Sequence, residues 1–368
     1  MSPIVRTSRR LADGREIIYF DDSHSGRRDA VDGRPLGERA QAGELRYDAL
    51  VDDWVAIAGH RQERTFLPPR DECPLCPSGR GTAPSEVPES AYDVVVFENR
   101  FPSFSDHGGI AASGQGPLLG GRAHGRCEVV CFTSDHDASF ASLGQDRVRT
   151  VIEAWVDRTE QLSRLPGVEL VLLFENRGPE IGVTLHHPHG QIYAYPYLPA
   201  RHVTLLTAAR RHHERTGRLL GTELLAAERA DGARMVLEGE HWSAYVPYAA
   251  RWPVEVHLVP HRDVPDLPTL TGEERDELAE VHQKLFRGLD RYYVGPRGEQ
   301  VRLPYISAWQ QAPVRQGRDV SRLHLQVMSV LRAPGRLKYL AGSESAAGAW
   351  INDVPPERAA ARLREVVG

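Results

Sequence analysis

Two stretches of this 368-residue chain follow the same order of predicted elements: a strand, a helix and two further strands. The segments are, in chain order, 128–132, 142–162, 168–175 and 183–195 in the first stretch, and 255–259, 271–289, 305–309 and 324–328 in the second. Both helices follow a capping-box pattern, at Ser142 and Thr271, and carry an apolar stripe at helical spacing. The repeat predicts a duplicated α+β fold, with a chance likeness of two β-α-β-β stretches as the alternative.

The length of the chain allows two domains or one large duplicated fold. We expect an N-terminal extension over residues 1–44, an active half over 45–200, a second half over 201–350 and a C-terminal helix over 351–368. Residues 107–126 are Gly-rich and show no periodicity, and no strand-to-helix frame surrounds them. This segment is therefore predicted to be a flexible loop rather than a phosphate cradle.

The composition is that of an ordinary globular protein, with 41% hydrophobic residues, 26% charged residues and a formal net charge of −5. General nucleic-acid binding needs a basic face, and this charge balance gives no support for one. Residues 1–10 are Arg-rich but no apolar stretch follows them, and no apolar run is long enough to span a bilayer. We therefore expect a cytoplasmic protein that binds neither nucleic acid nor membranes.

The segment 187–191, His-Pro-His-Gly-Gln, carries the most chemistry. Its alternation at period two, followed by an apolar and aromatic run, predicts a β-strand on which His187, His189 and Gln191 share one face. A neutral imidazole is a competent nucleophile near neutral pH, and a carboxamide holds a phosphoryl oxygen. For the His-x-His pattern alone, a half-buried and satisfied histidine pair is the structural alternative.

Cys73 and Cys76 form a Cys-x-x-Cys pair, which in a reducing compartment is either a metal knuckle or a redox pair. Zinc takes four ligands in a tetrahedron, and such a pair supplies two of them from one tight turn. His136, which follows a predicted strand, and His187 are the candidates for the other two ligands. If His187 binds the metal, His189 is left as the catalytic imidazole and the metal is structural.

Two further pairs of side chains are candidates for the same region. Cys127 and Cys131 compete as metal ligands, although their place on a predicted core strand favours buried thiols. Arg61 and Arg64 lie in the sequence His-Arg-Gln-Glu-Arg, which places two guanidinium groups within reach of one anion. A solvated charged turn is the alternative interpretation of the arginine pair.

The second copy of the repeat lacks several of these groups. Aligned on the first copy, it has Asp263 at the position of His136 and Gln326 at the position of His189. We therefore expect one active half, and a second half without the nucleophile and without at least one of the metal ligands.

Together these motifs resemble the galactose-1-phosphate uridylyltransferases, within the histidine-triad superfamily. The resemblance covers about residues 45–345, and its motifs lie at 52–64, 73–76, 97–102, 174–178, 187–191, 240–242 and 247–248. It implies a duplicated histidine-triad-like fold of the α+β class, with a mainly antiparallel sheet and flanking helices.

The resemblance also implies ping-pong transfer of UMP from UDP-glucose to galactose 1-phosphate through a uridylyl group on His189. Gln191 is then expected to donate to the phosphoryl oxygens. The implied substrate-binding residues are Arg61 and Arg64 for phosphate, Asn99, Asn176 and Thr184 near the nucleotide, and Lys338 and Glu344 near the sugar. The expected partners are a UDP-sugar, a hexose 1-phosphate and a second copy of the chain. The metal expected is one structural zinc ion, held by Cys73, Cys76, His136 and His187.

Some positions depart from the family pattern. Some members hold a second metal with one glutamate and three histidines, and the matching positions here are Leu205, Gln310, His324 and Gln326. We therefore expect no second, iron site. Trp350 stands near a sugar-contacting glutamine of many members, and Arg100 stands where aspartate is common. The acceptor sugar and the choice between UDP and ADP donors are therefore left open.

Three other functions stay open from the sequence. An ADP-sugar phosphorylase, or a related adenylyltransferase, would use inorganic phosphate as acceptor, although the segment around Ser343 and Asn352 favours a sugar phosphate. A histidine-triad hydrolase would release AMP, but such enzymes usually carry histidine where Gln191 stands. A non-catalytic, zinc-stabilised binding module is disfavoured by the presence of both His189 and Gln191.

Overall fold

The computed structural model describes residues 3–23, 26–37, 39, 43–63, 67–79, 84–107 and 114–368. Within these ranges the helices are α1 (Gln145–Ser163), α2 (Ala200–Thr216), α3 (Leu220–Asp231), α4 (Gly272–Asp290), α5 (Gly342–Ala347) and α6 (Pro356–Val367). The strands are β1 (Val5–Arg10), β2 (Glu16–Asp21), β3 (Glu44–Asp48), β4 (Asp53–Ile57), β5 (Val94–Glu98), β6 (Gly120–Arg122), β7 (Arg126–Cys131), β8 (Leu170–Arg177), β9 (His189–Tyr195), β10 (Met235–Glu238), β11 (Trp242–Tyr245), β12 (Val254–Pro260), β13 (Tyr293–Val294), β14 (Gln300–Val301), β15 (Tyr305–Gln310), β16 (His324–Ser329), β17 (Leu331–Ala333) and β18 (Arg336–Leu337).

Eleven of the strands form one sheet in the order β1-β2-β5-β7-β9-β8-β15-β16-β12-β11-β10. Every pairing in this sheet is antiparallel. The order is symmetric about the β8–β15 pair, because β9, β7 and β5 on one side correspond to β16, β12 and β11 on the other. The predicted α+β class with a mainly antiparallel sheet is confirmed, and the repeat lies within one continuous sheet.

Helices α1 and α4 pack against each other and against the same large core. The predicted apolar stripes are buried: Val148, Val151, Ile152, Trp155, Val156 and Leu162 in α1, and Leu278, Val281, Leu285 and Leu289 in α4. A hydrophobic stripe at helical spacing is stable only when it is covered, and the sheet and the partner helix cover it here. The two halves therefore share a core as well as a sheet.

The two predicted helix starts have different outcomes. The capping box at Thr271 is confirmed, because the Thr271 side chain accepts from the Glu274 N–H and the Glu274 carboxylate accepts from the Thr271 N–H. The one at Ser142 is wrong, since α1 begins after Gly144 as N-cap. The Ser142 hydroxyl instead accepts from the Ser139 N–H at 2.9 Å and closes a preceding 3-10 turn.

The last helix, α6, packs on α4 at a glycine. A Cβ added to Gly288 would lie 2.4 Å from Cγ2 of Val367 and 3.2 Å from its Cα. Such distances are well below van der Waals contact, so the close approach of the two helices requires glycine at this position. None of the described helices is both long enough and apolar enough to cross a membrane.

Strands β1 and β2 form one edge of the large sheet, and β4-β3-β6 form a separate small sheet. Within the Gly-rich segment, residues 108–113 lie outside the described residues. The strand Gly120–Arg122 pairs with β3, so the prediction of a loop is wrong for that part. The division of the chain into an extension, two halves and a C-terminal helix stays a prediction.

Candidate functional site

Two thiols and two imidazoles meet beside the start of β9. The ligand atoms of Cys73, Cys76, His136 and His187 all lie within 4.8 Å of one another. Sγ of Cys76 is 3.3 Å from Nδ1 of His136 and 3.5 Å from Nδ1 of His187. The Cys76 N–H donates to the Cys73 carbonyl at 3.4 Å, which closes the Cys-x-x-Cys turn. The predicted four side chains are thus brought together from three separate segments.

The ring of His187 is held in one orientation. Its Nε2–H donates to the Thr133 carbonyl at 2.8 Å and lies 2.9 Å from the hydroxyl of Tyr92. The Tyr92 hydroxyl itself donates to the Leu75 carbonyl at 2.9 Å. With the proton on Nε2, the lone pair of Nδ1 points at the thiols, and outer partners of this kind are typical of metal-binding histidines.

The charge state of this cluster is set by burial. Burial, strengthened by the neighbouring Cys73 thiol, raises the pKa of Cys76 to about 12. Burial lowers the pKa of His187 to about 4 and also lowers the pKa of His136. Two thiols and two neutral imidazoles with converging donor atoms suit a soft or borderline divalent cation, which binds thiolate and neutral imidazole. The donor set therefore fits a tetrahedral zinc ion.

Strand β9 begins at His189, so the predicted strand over 183–195 is confirmed only from that residue onward. His187 is 1% exposed and faces the cysteines, whereas His189 and Gln191 line a cavity. The prediction that all three side chains point into one site is therefore wrong for His187. Pro188 precedes the strand and has no N–H to give to the sheet, so the period-two alternation does not extend back to His187.

The ring of His189 is also fixed by one hydrogen bond. Its Nδ1–H donates to the carbonyl of His187 at 2.7 Å, which leaves the Nε2 lone pair free. Burial lowers the pKa of His189, so the ring is neutral at pH 7 and nucleophilic. The residue between the two functional positions is glycine because a Cβ on Gly190 would lie 3.0 Å from both the Phe174 carbonyl oxygen and the Phe132 ring.

His189 separates two cavities. One has a volume of about 180 Å³ and is lined by Arg61, Glu86, Asn99, Arg100, Phe101, Thr184, Leu185 and Gln191 among others. The other has a volume of about 280 Å³ and contains Asn176, Arg177, His186 and Arg302 in its walls. Together they provide space for a molecule with a group at each side of the reacting imidazole.

Arg61 lies on a 3-10 turn directly after β4 and reaches the cavity next to His189. Its Nη1 donates to the Phe101 carbonyl at 2.9 Å and lies 3.4 Å from the hydroxyl of Tyr193. Asn99 closes a turn by accepting the Phe101 N–H at 2.9 Å. Arg64, the second predicted arginine, lies outside the described residues.

Lys338 and Glu344 are not among the residues that line the two cavities at His189. They pair with each other, with Nζ of Lys338 2.8 Å from Oε1 of Glu344, and Lys338 also donates to the Ile351 carbonyl. Trp350, in the same segment, packs edge-on against Trp252 at a centroid distance of 5.0 Å. Within one copy of the chain, this segment forms a separate polar cluster.

The second half contains a histidine with surroundings like those of His189. His324 begins β16 as His189 begins β9, and its Nδ1–H donates to the carbonyl two residues earlier, that of Arg322, at 3.3 Å. The side chains of His324 and His189 both lie on the face of the sheet opposite the shared core. A shift of two residues keeps the same side chains on the same face, so the matching of Gln326 with His189 stays a prediction.

Two residues of the site escaped the sequence reasoning. Tyr92 fixes His187, and nothing in its local sequence distinguishes it from a core tyrosine. Glu86 lies in the wall of the cavity at His189, held by Arg15 at 2.6 Å and Arg34 at 3.0 Å. Both arginines come from the N-terminal segment, and this segment therefore holds a side chain of the cavity wall in place. The competing thiols, Cys127 and Cys131, are buried and do not belong to the metal-capable group.

The chain is similar to proteins of one family throughout its length. Residues 36–199 match the family described as "Galactose-1-phosphate uridyl transferase, N-terminal domain", and residues 206–367 match the corresponding C-terminal domain. A galactose-1-phosphate uridylyltransferase of Streptomyces lividans is 48% identical over 374 aligned positions, covering 98% of each chain. One of Thermotoga maritima is 38% identical and covers 88% of this chain and 98% of its own. A solved uridylyltransferase structure has a TM-score of 0.78 at 29% identity, covering 88% of this chain and 98% of that chain.

Proposed function

This chain belongs to the galactose-1-phosphate uridylyltransferase family, and we propose that it exchanges UMP between UDP-glucose and galactose 1-phosphate through a uridylyl-histidine. The observation that carries this proposal is the fixed ring of His189. Its Nδ1–H is bound to the His187 carbonyl at 2.7 Å, which leaves a neutral, unprotonated Nε2 for attack at the border of two cavities.

In the first step, the lone pair of Nε2 forms a P–N bond with the α-phosphorus of UDP-glucose. The P–O bond to the β-phosphate breaks, and its electron pair leaves with glucose 1-phosphate. Positive charge that develops on the ring is stabilised by the hydrogen bond from Nδ1–H to the His187 carbonyl. In the second step, a phosphate oxygen of galactose 1-phosphate attacks phosphorus, and the P–N electron pair returns to Nε2.

Gln191 and Arg61 line the cavity on the nucleotide side of His189 and are the proposed contacts of the α-phosphate. The amide of Gln191 donates to a phosphoryl oxygen whose charge grows in the transition state. The guanidinium of Arg61 pairs with phosphate, while Asn99 and Thr184 border the nucleotide. Asn176 lies in the cavity on the other side of His189. Arg64 keeps its proposed role as a phosphate contact by analogy with the family.

We propose that Cys73, Cys76, His136 and His187 hold one zinc ion, which when bound supplies structural cross-linking and no chemistry at phosphorus. The four residues tie the 73–76 turn and the 136 loop to the residue that carries the acceptor carbonyl for His189. The site thereby orients the nucleophile through the backbone.

We further propose a homodimer in which Lys338 and Glu344 serve the sugar site of the partner copy, because they lie apart from both cavities at His189 in their own chain. The region of the small sheet supports a dimer, since strand β4 and the two residues before β6 expose apolar side chains: Val55, Ile57, Leu118 and Leu119. A cytoplasmic location is proposed as well, supported by four cysteines that are all unbridged.

The proposal is tested by the intact mass of the protein after incubation with UDP-glucose alone. A gain of one UMP is expected in wild type and in His107→Ala, an exposed histidine outside both cavities at His189. No gain is expected in His189→Ala, and galactose 1-phosphate should remove the adduct. No adduct with UDP-glucose but one with ADP-glucose, discharged by inorganic phosphate, would instead establish an ADP-sugar phosphorylase.

A further inference from the structure

The second half contains a cavity that the proposed reaction does not use. It has a volume of about 180 Å³, the same as the cavity on the nucleotide side of His189. Helices α2 and α3 and strands β11, β12, β15 and β16 contribute to its walls, and its polar lining includes His202, Tyr245, His257, Gln310, Arg322 and His324. The facing wall is apolar, with leucines of α2 and α3: Leu205, Leu206, Leu220 and Leu224.

Several buried polar atoms in this wall have no hydrogen-bond partner among the described residues. They include both ring nitrogens of His202, Oε1 of Gln310 and Nη1 of Arg322. His202 is 6% exposed and Gln310 is 5% exposed. Leaving a buried donor or acceptor unpaired costs roughly 1–3 kcal/mol, so three such groups around one cavity indicate a polar occupant.

The charge of the cavity favours an anion. The Arg322 side chain is 5% exposed, and its ion-pair partner Asp263 is 46% exposed, with 3.3 Å between Nε and Oδ1. Nη2 of Arg322 donates to the carbonyls of Pro260 and His261, which leaves Nη1 for another acceptor. Burial lowers the pKa of His202 to about 4 and of His324 to about 3, so both rings are neutral. The single N–H of His324 already donates to the Arg322 carbonyl, whereas the single N–H of His202 has no partner among the described residues and can donate to a ligand.

The internal symmetry of the sheet narrows the class of anion. The cavity at His324 lies on the same face of the continuous sheet as the cavities at His189, opposite the core that α1 and α4 share. If His189 meets phosphorus, as the proposed function requires, the equivalent cavity of the second half is a phosphate position. The second-half amide is not free for catalysis, because Gln326 accepts from Arg201 at 2.8 Å and donates to Glu255 at 2.7 Å.

We propose that the second half binds a small organic phosphate without reacting with it. The phosphate lies against Arg322 and His202, and the apolar part of the molecule lies against the leucines of α2 and α3. This site is distinct from the one at His189, and only its phosphate assignment rests on the proposed function.

The experiment is calorimetric titration of the His189→Ala protein with phenyl phosphate. The substitution removes the nucleophile, so the measured heat comes from binding alone. Leu205, 38% exposed, borders the cavity, and Leu205→Trp fills it. Val203→Trp is the matched control, because Val203 is on the same helix, 46% exposed and outside the cavity wall. Leu205→Trp should abolish one binding event, whereas Val203→Trp should keep it. Arg322→Gln should weaken the affinity of that event roughly tenfold or more.

Equal binding by Leu205→Trp and Val203→Trp would overturn the proposal, because phenyl phosphate would then occupy only the cavities at His189. Absence of any binding event in the His189→Ala protein with Leu205 intact would overturn it as well, because the cavity would then not bind phenyl phosphate. Uridylyl transfer by Leu205→Trp in the His189-containing protein should proceed at the wild-type rate. That rate is measured separately, so failure of the second site is distinguishable from failure of the proposed function.

Discussion

The backbone carbonyl of His187 accepts a hydrogen bond from Nδ1 of His189 at 2.7 Å. The side chain of His187 points away from that bond, toward Cys76, with 3.5 Å between Nδ1 and Sγ. One residue thus faces the proposed metal with its ring and the nucleophile with its backbone. Any shift of His187 that follows loss of the metal must change the orientation of His189.

Cys76→Ser is expected to lower zinc affinity by at least about tenfold and to slow formation of the uridylyl adduct. The reason is that the metal anchors His187, whose carbonyl orients His189. Metal content by elemental analysis and adduct formation by intact mass are the two readouts. Cys127→Ala, a buried thiol outside the metal-capable group, should keep the metal. A metal-free Cys76→Ser protein that forms adduct at the wild-type rate would contradict the coupling.

Gln191→Ala is expected to slow the first uridylyl transfer on the order of 10²-fold, because a donor aimed at developing charge is lost. The KM for UDP-glucose should change little if the amide acts mainly in the transition state. Rapid-quench measurement of adduct formation gives the rate of this step. A rise in KM at constant kcat would mean that Gln191 contributes only to binding.

The free energy of unfolding of the wild type should fall as pH rises, because of the buried carboxyl group of Glu175. Burial raises the pKa of Glu175 to about 7, although Arg177 opposes the shift, and the Tyr305 hydroxyl donates to it at 3.0 Å. The unfolded group ionises near pH 4.5, so folding becomes less favourable between pH 4.5 and 7, by roughly 1.36 kcal/mol per unit of pKa difference.

Glu175→Gln removes this titration, so its stability relative to wild type should increase from pH 4.5 to 7 and stay constant above. Urea unfolding at a series of pH values measures the difference. Asp290, which lies 2.5 Å from Arg177, is present in both proteins, so the comparison isolates Glu175. A difference that does not vary with pH would show that Glu175 ionises normally.

Gly288→Ala should destabilise the protein by about 1–3 kcal/mol, because the added methyl group meets Val367 of α6. Gly272→Ala is the matched control in the same helix, since a Cβ at Gly272 meets nothing within 4 Å. There the substitution should be neutral or stabilising by up to about 1 kcal/mol. Equal effects of the two variants in urea unfolding would show that α6 does not pack tightly on α4.

Val55→Glu should convert the proposed dimer to a monomer, because it places a charge on the exposed apolar face of the small sheet. Val294→Glu is the control, with a valine of similar exposure, 52% against 48% for Val55. Light scattering coupled to size-exclusion chromatography gives the mass of each variant. A dimer that survives Val55→Glu would place the interface elsewhere.

The elements that the sequence predicted well are those defined by local pattern. The stripes of α1 and α4 follow from helical spacing, and strands such as β7 and β12 were located to within two residues. Cys73 and Cys76 were placed with His136 and His187 because a thiol pair needs two further ligands for zinc. Their grouping in space agrees with that argument, and their role as zinc ligands stays a prediction.

The features that the sequence did not predict depend on long-range packing. Tyr92 contacts His187 across 95 positions of the chain, and no local pattern marks such a pair. The matching of Gln326 with His189 stays a prediction, because a two-residue slip of a strand preserves its faces. Lys338 and Glu344 were expected at the sugar, and their distance from the cavities at His189 depends on chain segments that are far apart in sequence.

The β8–β15 seam makes the molecule a pseudo-symmetric pair that is covalently fused. Separate copies would have to find each other in solution, whereas two copies on one polypeptide meet at a fixed one-to-one ratio and at high effective concentration. Because the two copies are always associated, the second copy needs to keep only the strand pairing and the apolar core residues that hold the halves together. The polar residues of its open face are then not needed for the reaction at His189, and the cavity that they line is available to recognise a different molecule.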